Sequence, residues 1–267
     1  MPSLSVIQSV QNSMVKHAYS LKVPKRAKDS EDFLCEGFHL VQEALATPLK
    51  CRYIFATKTA YHQPDGQKIF EAAQRAKVRC FEVTSKIIDY LSDTVTPQGI
   101  LAVVGKVPAQ YPLEPFGRVL ALHQLQDAGN LGTIFRSAEA FGFQGVFLTD
   151  GCCDPFNPKV VRASMGSLFR VPFVQGGKWE EYQGWFKEKG YLTCALALKD
   201  SRDLLKVSLP SATVFWIGAE GAGLPESLVQ DCQERVMIPM VGKTESLNAA
   251  IAASLAMFWA RFGGPVS

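Results

Sequence analysis

The spacing of apolar and polar positions changes period several times along this chain, and each change marks an element. Apolar positions recur with helical spacing over residues 5–22, which predicts an amphipathic helix, and the basic stretch VPKRAKDSED then reads as a turn. In FLCEGFHLVQEALAT, apolar residues at 34, 38, 41 and 45 predict one further helix. CRYIFAT reads as a strand, DGQKIFEAAQRAK as a helix, VRCFEV as a strand, TSKIIDYLSD as a short helix and GILAVVGKV as a strand. This alternation predicts a small α/β unit over 1–107. PAQYPLEPFGR follows, with prolines at 108, 112 and 115, so residues 108–117 read as a linker.

A second α/β alternation fills 118–267. RVLALHQ, GVFLTD, RVPFVQ, YLTCALAL, ATVFWIG and RVMIPM read as strands. NLGTIFRSAEAFG, KVVRASMGSLF, KWEEYQGWFKEKG and PESLVQDC read as helices between them, and an apolar helix over Leu247–Phe262 closes the series. Near-continuous apolar strands separated by helices predict a parallel sheet covered by helices on both faces. In such a sheet, ligands bind beyond the carboxyl ends of the strands.

Composition narrows the class. The chain has 267 residues, 47% of them hydrophobic and 20% charged, with room for a real core. No apolar run reaches the ~18 residues of a membrane span, and the first residues lack a signal-peptide core, so the expected location is cytoplasmic. The seven cysteines make no CxxC pair and the four histidines no HxxxH, so no metal site is expected. Net charge is only +3, but the first 28 residues hold Lys16, Lys22, Lys25, Arg26 and Lys28 and no acid. Such an arm suits a polyanion, RNA or DNA.

Three strand ends carry more polar chemistry than their turns require. In QDAGNLGTIFRSAEAFG, Gly129-Asn130-Leu131-Gly132 makes a tight turn into a helix, where free N–H groups can meet a ligand and where Arg136 lies close by. In WIGAEGAGLPESL, glycines 218, 221 and 223 flank Glu220, which is expected to be partly buried and to meet a cation or several N–H groups. The order G-x-x-G-x-G after a late strand disfavours a nicotinamide fingerprint. In IPMVGKTESLNAAIAASLAMF, Gly242 allows a turn and Thr244 or Ser246 can cap the closing helix, which leaves Glu245 and Asn248 surplus.

Together NLGTIFRSAEAFG, GAEGAGL and IPMVGKTESLNAAIAASLAMF resemble the three ordered motifs of the SpoU/TrmH RNA ribose 2′-O-methyltransferases, members of the trefoil-knotted superfamily. The likeness covers 118–262. VQNSMVKH and FLCEGFHLVQEAL are similar to the RNA substrate-binding domain that often precedes it. Two positions depart from the family pattern: Ala128 stands where proline is usual, and Ala249 where valine is usual. The resemblance implies a deep C-terminal knot, which periodicity cannot reveal.

It also implies methyl transfer from S-adenosylmethionine to a ribose 2′-hydroxyl, in ribosomal RNA of the 23S type or else in tRNA. The rival from another class is a catalytically inactive RNA-binding or ribosome-assembly module. By resemblance Arg136 is the key catalytic residue and the family mechanism casts it as the base; a guanidinium pKa above ~12 suits it better to stabilising a developing alkoxide or gripping a phosphate. Asn130 would orient Arg136 or the ribose, Glu220 would anchor the site, and Ser246 and Asn248 would complete its hydrogen-bonding shell. Gly218, Ile238, Leu247 and Leu196 would hold the cofactor, largely through backbone. Arg162 and Ser164 would lie near the RNA-binding face, with Lys16, Lys25, Arg26 and Lys28 binding phosphates. A homodimer through the catalytic domain is implied, with the closing helix as its candidate interface.

Overall fold

A computed structural model describes residues 4–106 and 117–263; the expected linker lies outside the described residues apart from Gly117. Contacts divide the chain into Met1–Pro108 with Asp154–Phe169, and Ala109–Cys153 with Arg170–Ser267.

In the first unit a five-stranded mixed sheet has the order β1-β4-β3-β5-β2, formed by β1 (Ser5–Ile7), β2 (Asp32–Glu36), β3 (Cys51–Ala56), β4 (Arg79–Val83) and β5 (Ile100–Gly105). β1, β4 and β3 run parallel, and β5 is antiparallel to both β3 and β2. The helix expected over 5–22 is instead β1 followed by α1 (Ser13–Ser20). Ser5-Val6-Ile7 finds an open edge beside β4, and Asn12 starts the helix by accepting from the Met14 N–H at 2.9 Å. The basic turn contains a short helix, α2 (Pro24–Asp29), with proline in its first turn. The single helix expected in FLCEGFHLVQEALAT is broken at Gly37, whose φ of 94° only glycine adopts readily, giving β2 and then α3 (Phe38–Ala46). α4 (Lys58–His62), α5 (Pro64–Arg75) and α6 (Ser85–Leu91) complete the alternation.

Residues 154–169, expected in the second unit, pack in the first. Phe156 and Phe169 lie against Phe33 with ring centroids 4.9 and 5.9 Å apart, so burial on β2 decides where the segment goes. The helix expected over 159–169 stops early within it. α8 (Pro158–Ser164) ends at Met165, whose φ is 50°, and a single 3-10 turn follows.

The second unit is an all-parallel sheet of order β10-β12-β9-β11-β6-β7-β8. The strands are β6 (Val119–Leu122), β7 (Gly145–Leu148), β8 (Phe173–Gln175), β9 (Leu192–Leu196), β10 (Arg202–Asp203), β11 (Thr213–Ile217) and β12 (Glu234–Met237). Its helices are α7 (Ala128–Ala140), α9 (Trp179–Glu188), α10 (Glu226–Asp231) and α11 (Ala249–Phe262). β6, β7 and β11 are buried along their whole length, as expected for strands covered on both faces. Trp216, Phe147, Phe186 and Tyr191 form the centre of one core cluster, and the indole N–H of Trp216 donates to Gln183 at 2.8 Å. The last strand is not added at an edge: β12 enters between β9 and β10, which brings the following loop and α11 beside the ends of β9 and β11.

Candidate active site

The three polar strand ends converge. Asn248 caps α11, its Oδ1 accepting from the N–H groups of Ala250 at 2.9 Å and Ile251 at 3.2 Å. Its Nδ2 donates to Asn130 Oδ1 at 3.0 Å and to Glu220 Oε1 at 3.3 Å. Asn130 Nδ2 donates to the same Glu220 oxygen. Asn130 is itself held at the start of α7, where Asp127 accepts from its N–H at 2.7 Å. One carboxylate therefore joins two amides from segments about a hundred residues apart. Glu220 is exposed rather than partly buried, and amide N–H groups supply the partners its charge requires. The cap expected from Thr244 or Ser246 falls to Asn248, because the helix begins only at Ala249.

Beside this cluster lies a cavity of ≈ 420 Å³, within the ~300–1,000 Å³ typical of small-molecule sites. Gly218, Ile238, Leu247 and Leu196 all line it, as do Glu220 and Ser246. A Cβ on Gly218 would stand 2.1 Å from the Gly223 carbonyl carbon, so only glycine lets the 218–224 loop fold back on itself. The N–H and C=O groups of Gly218, Ile238 and Leu247 make no hydrogen bond to other described residues. They are available to a ligand, and the neighbouring lining of Leu196, Ile217 and Met237 is apolar.

Arg136 is exposed on α7 and makes no ion pair or hydrogen bond among the described residues. It makes no hydrogen bond to Asn130, which was expected to orient either Arg136 or the ribose. Six residues along a helix place it about 9 Å further along the axis and about 120° around it. Asn130 is instead committed to Glu220 and Asn248, and Arg136 projects free.

Lys16, Lys25, Arg26 and Lys28 are exposed without ion pairs among the described residues. Lys22, by contrast, is taken up internally, donating to the Ser92 carbonyl at 2.7 Å and pairing with Asp93 at 3.0 Å. Arg162 is half-buried in the first unit, 3.8 Å from Glu36. Ser164 corrects its expectation: it is fully buried and its hydroxyl donates to the Val161 carbonyl, so it does not present itself to RNA.

Two participants escaped the sequence reading. Asp127, three residues before Asn130, carries the ordinary N-cap signal and positions that residue's backbone. Arg235 lines the cavity from β12, where only its place in a strand was read.

Known proteins resemble this chain in sequence and fold. Residues 117–258 match the SpoU rRNA methylase family, and residues 12–102 match the MRM3-like substrate binding domain. The chain is 31% identical to the 23S rRNA (guanosine(2553)-2'-O)-methyltransferase of Bacillus subtilis, over 96% of this chain and 98% of that one. It is 30% identical to the mitochondrial rRNA methyltransferase 3 of mouse, over 88% of this chain and 68% of that protein. The AdoMet-bound rRNA methyltransferase from Sinorhizobium meliloti superposes with a TM-score of 0.85 at 29% identity, covering 97% of each chain. A family match over more than half the sequence, the full-length likeness and the hydrogen-bonded union of three separate motifs agree: this chain belongs to the SpoU rRNA methylase family.

Proposed function

We propose that this chain methylates a ribose 2′-hydroxyl in large-subunit ribosomal RNA, with S-adenosylmethionine as the donor. The observation that carries this reading is the Asn130–Glu220–Asn248 cluster at the rim of a cavity whose glycine and apolar walls leave backbone groups free. The bound cofactor supplies an electrophilic methyl group on a cationic sulfur. Gly218, Ile238 and Leu247 would hold the cofactor through their backbone groups, with Leu196 as an apolar wall. Asn130, Glu220 and Asn248 keep the rim of the site rigid. Ser246, exposed at the cavity and without an internal partner among the described residues, meets the ribose.

Arg136 acts as an electrostatic group rather than as a base, because its guanidinium offers N–H donors and no acceptor. Its lack of partners among the described residues leaves the planar fork for an RNA phosphate or for the developing alkoxide. Lys16, Lys25, Arg26 and Lys28 bind phosphates without reading sequence, and Arg162 is a further RNA contact on this reading. The relatives' rRNA names favour ribosomal RNA as the substrate. The C-terminal knot is the family's, and the insertion of β12 between β9 and β10 supports it.

The working form on this reading is a homodimer. Ile251, Leu255, Phe258 and Phe262 form one exposed stripe on α11, at 53, 43, 51 and 61% exposure. Phe141 extends it, packing edge-on against Phe258 and Phe262. Spacings of three and four along the helix put these residues on a single face, which a second copy can cover.

The test is methyl transfer to ribosomal RNA from cells lacking this chain, with the modified nucleotide mapped by mass spectrometry. Arg136→Ala is expected to abolish transfer while S-adenosylhomocysteine binding by calorimetry stays within about twofold of wild type. Undiminished transfer by that variant would remove Arg136 from the chemistry, and absence of any methylated ribose with the unaltered protein would refute the function.

A further inference from the structure

Five charged residues line the cavity: Lys199, Asp200, Glu220, Glu226 and Arg235. Glu220 is occupied by the two amides. Lys199, Asp200 and Glu226 are exposed, the first two on the loop after β9 and Glu226 at the first residue of α10. Arg235 differs from all of these. It is half-buried on β12, a strand flanked by β9 and β10, so its backbone is fixed on both sides. Alternation along the strand puts Arg235 and Met237 on the cavity face, while Val236 is buried on the opposite one. Its neighbour Glu234 does not neutralise it, because Glu234 pairs with Arg202 at 3.3 Å. Arg235 itself makes no ion pair or hydrogen bond among the described residues.

A half-buried guanidinium held on a strand, facing a ligand cavity and without an acceptor among the described residues, is available to an anion. Its planar fork matches a carboxylate bidentately. The remaining cavity wall suits a nucleoside: backbone groups and apolar side chains, with no second cation fixed on a strand. We infer that Arg235 binds the α-carboxylate of the cofactor's amino-acid end, so that the cavity reads both ends of the molecule: adenine through backbone, carboxylate through this side chain. The inference rests on S-adenosylmethionine being the cofactor, and it assigns Arg235 a role in binding rather than in the chemical step.

Two ligands isolate this contact. S-adenosylhomocysteine and 5′-methylthioadenosine share the nucleoside and the thioether, and only the first carries the amino-acid end. Calorimetry on the wild-type protein and on Arg235→Ala and Arg235→Gln gives a ligand-by-residue cycle. Both variants are expected to bind S-adenosylhomocysteine about 10- to 100-fold more weakly, as for a lost charge-assisted pair. They should bind 5′-methylthioadenosine within about twofold of wild type, which also reports that they are folded. Equal weakening of both ligands, or no weakening of either, would overturn the assignment. Wild-type protein that binds neither ligand would instead sink the cofactor reading on which the assignment rests.

Discussion

Asn248 does two jobs with two ends of one amide, and substitutions can separate them. Its Oδ1 caps α11 and its Nδ2 ties Asn130 to Glu220. Asn248→Ala removes both. Loss of the cap costs about 1 kcal/mol. Loss of the two exposed side-chain bonds, one of them to a carboxylate, adds about 1 kcal/mol more. For a chain of this size, about 2 kcal/mol lowers Tm by roughly 4–8 °C. Asn248→Ser keeps a side-chain oxygen at the cap but cannot reach Glu220 or Asn130, so only the second part is lost and Tm should fall by roughly 2–4 °C. Turnover should not follow the melting temperatures. Both variants free Glu220 and Asn130 from their common partner, and both should lose about 10²-fold in methyl transfer, the scale for misplaced groups around a reacting centre. Scanning calorimetry and single-turnover methylation of ribosomal RNA measure the two quantities on the same preparations. Wild-type turnover in Asn248→Ser would refute the role given to the Nδ2 bonds. Equal melting temperatures for the two variants would refute the cap.

Three other expectations concern separate parts of the molecule. Phe258→Asp puts a charge in the centre of the exposed α11 stripe and should shift the protein from dimer to monomer in sedimentation equilibrium, since each half-exposed apolar side chain covered by a second copy is worth about 1 kcal/mol. Lys25→Ala, Arg26→Ala and Lys28→Ala combined should weaken RNA binding and flatten the dependence of log affinity on log salt by about 2–3, one counterion fraction per lost contact; an unchanged slope in filter binding would take α2 out of the RNA interface. His123 is buried beside Thr149, and burial, opposed in part by the charge of Glu180, lowers its pKa below the usual 6.5. The unfolded chain then binds its proton more readily, so this residue's contribution to stability is full above pH 6.5 and declines as pH falls below it. His123→Gln should remove that slope from denaturant midpoints taken between pH 7.5 and 5.

The local elements of this fold were largely legible, and the misreadings share a cause. Strands β6, β7, β9 and β11 announce themselves because burial on both faces demands continuous apolar runs. The helix expected over 5–22 failed because Ser5-Val6-Ile7 is apolar enough for either state, and the open edge beside β4 decides between them. The break at Gly37 failed because apolar spacing on either side of it continues one helical pattern, while its φ of 94° is a tertiary outcome. Residues 154–169 were placed by chain order, yet aromatic burial against Phe33 places them with the first unit. In each case the local pattern permitted two answers and a distant surface selected one.

The site shows the same division more sharply. Each polar cluster was visible as an excess of hydrogen-bonding residues at a strand end, but nothing local says that the excesses satisfy one another. α7 and α11 run parallel in contact, and pairs 117 or 118 residues apart repeat along them: Asn130 with Asn248, then Ser137 with Ser254 at 2.7 Å. Phe141 and Phe258 continue the same register one turn later. That register aligns the first turn of α7 with the cap of α11, and the 218–224 loop then brings Glu220 to both. The surplus read at Asn248 is thus the helix's own cap, with its other end shared with the site. Arg136 lies outside this register, on the exposed side of α7, and that accounts for its having no partner among the described residues where Asn130 has two. A guanidinium with no acceptor among the described residues, on the same helix as a cluster whose amides are all engaged, can receive an anion from outside, and on the proposed function that anion is a phosphate of the RNA.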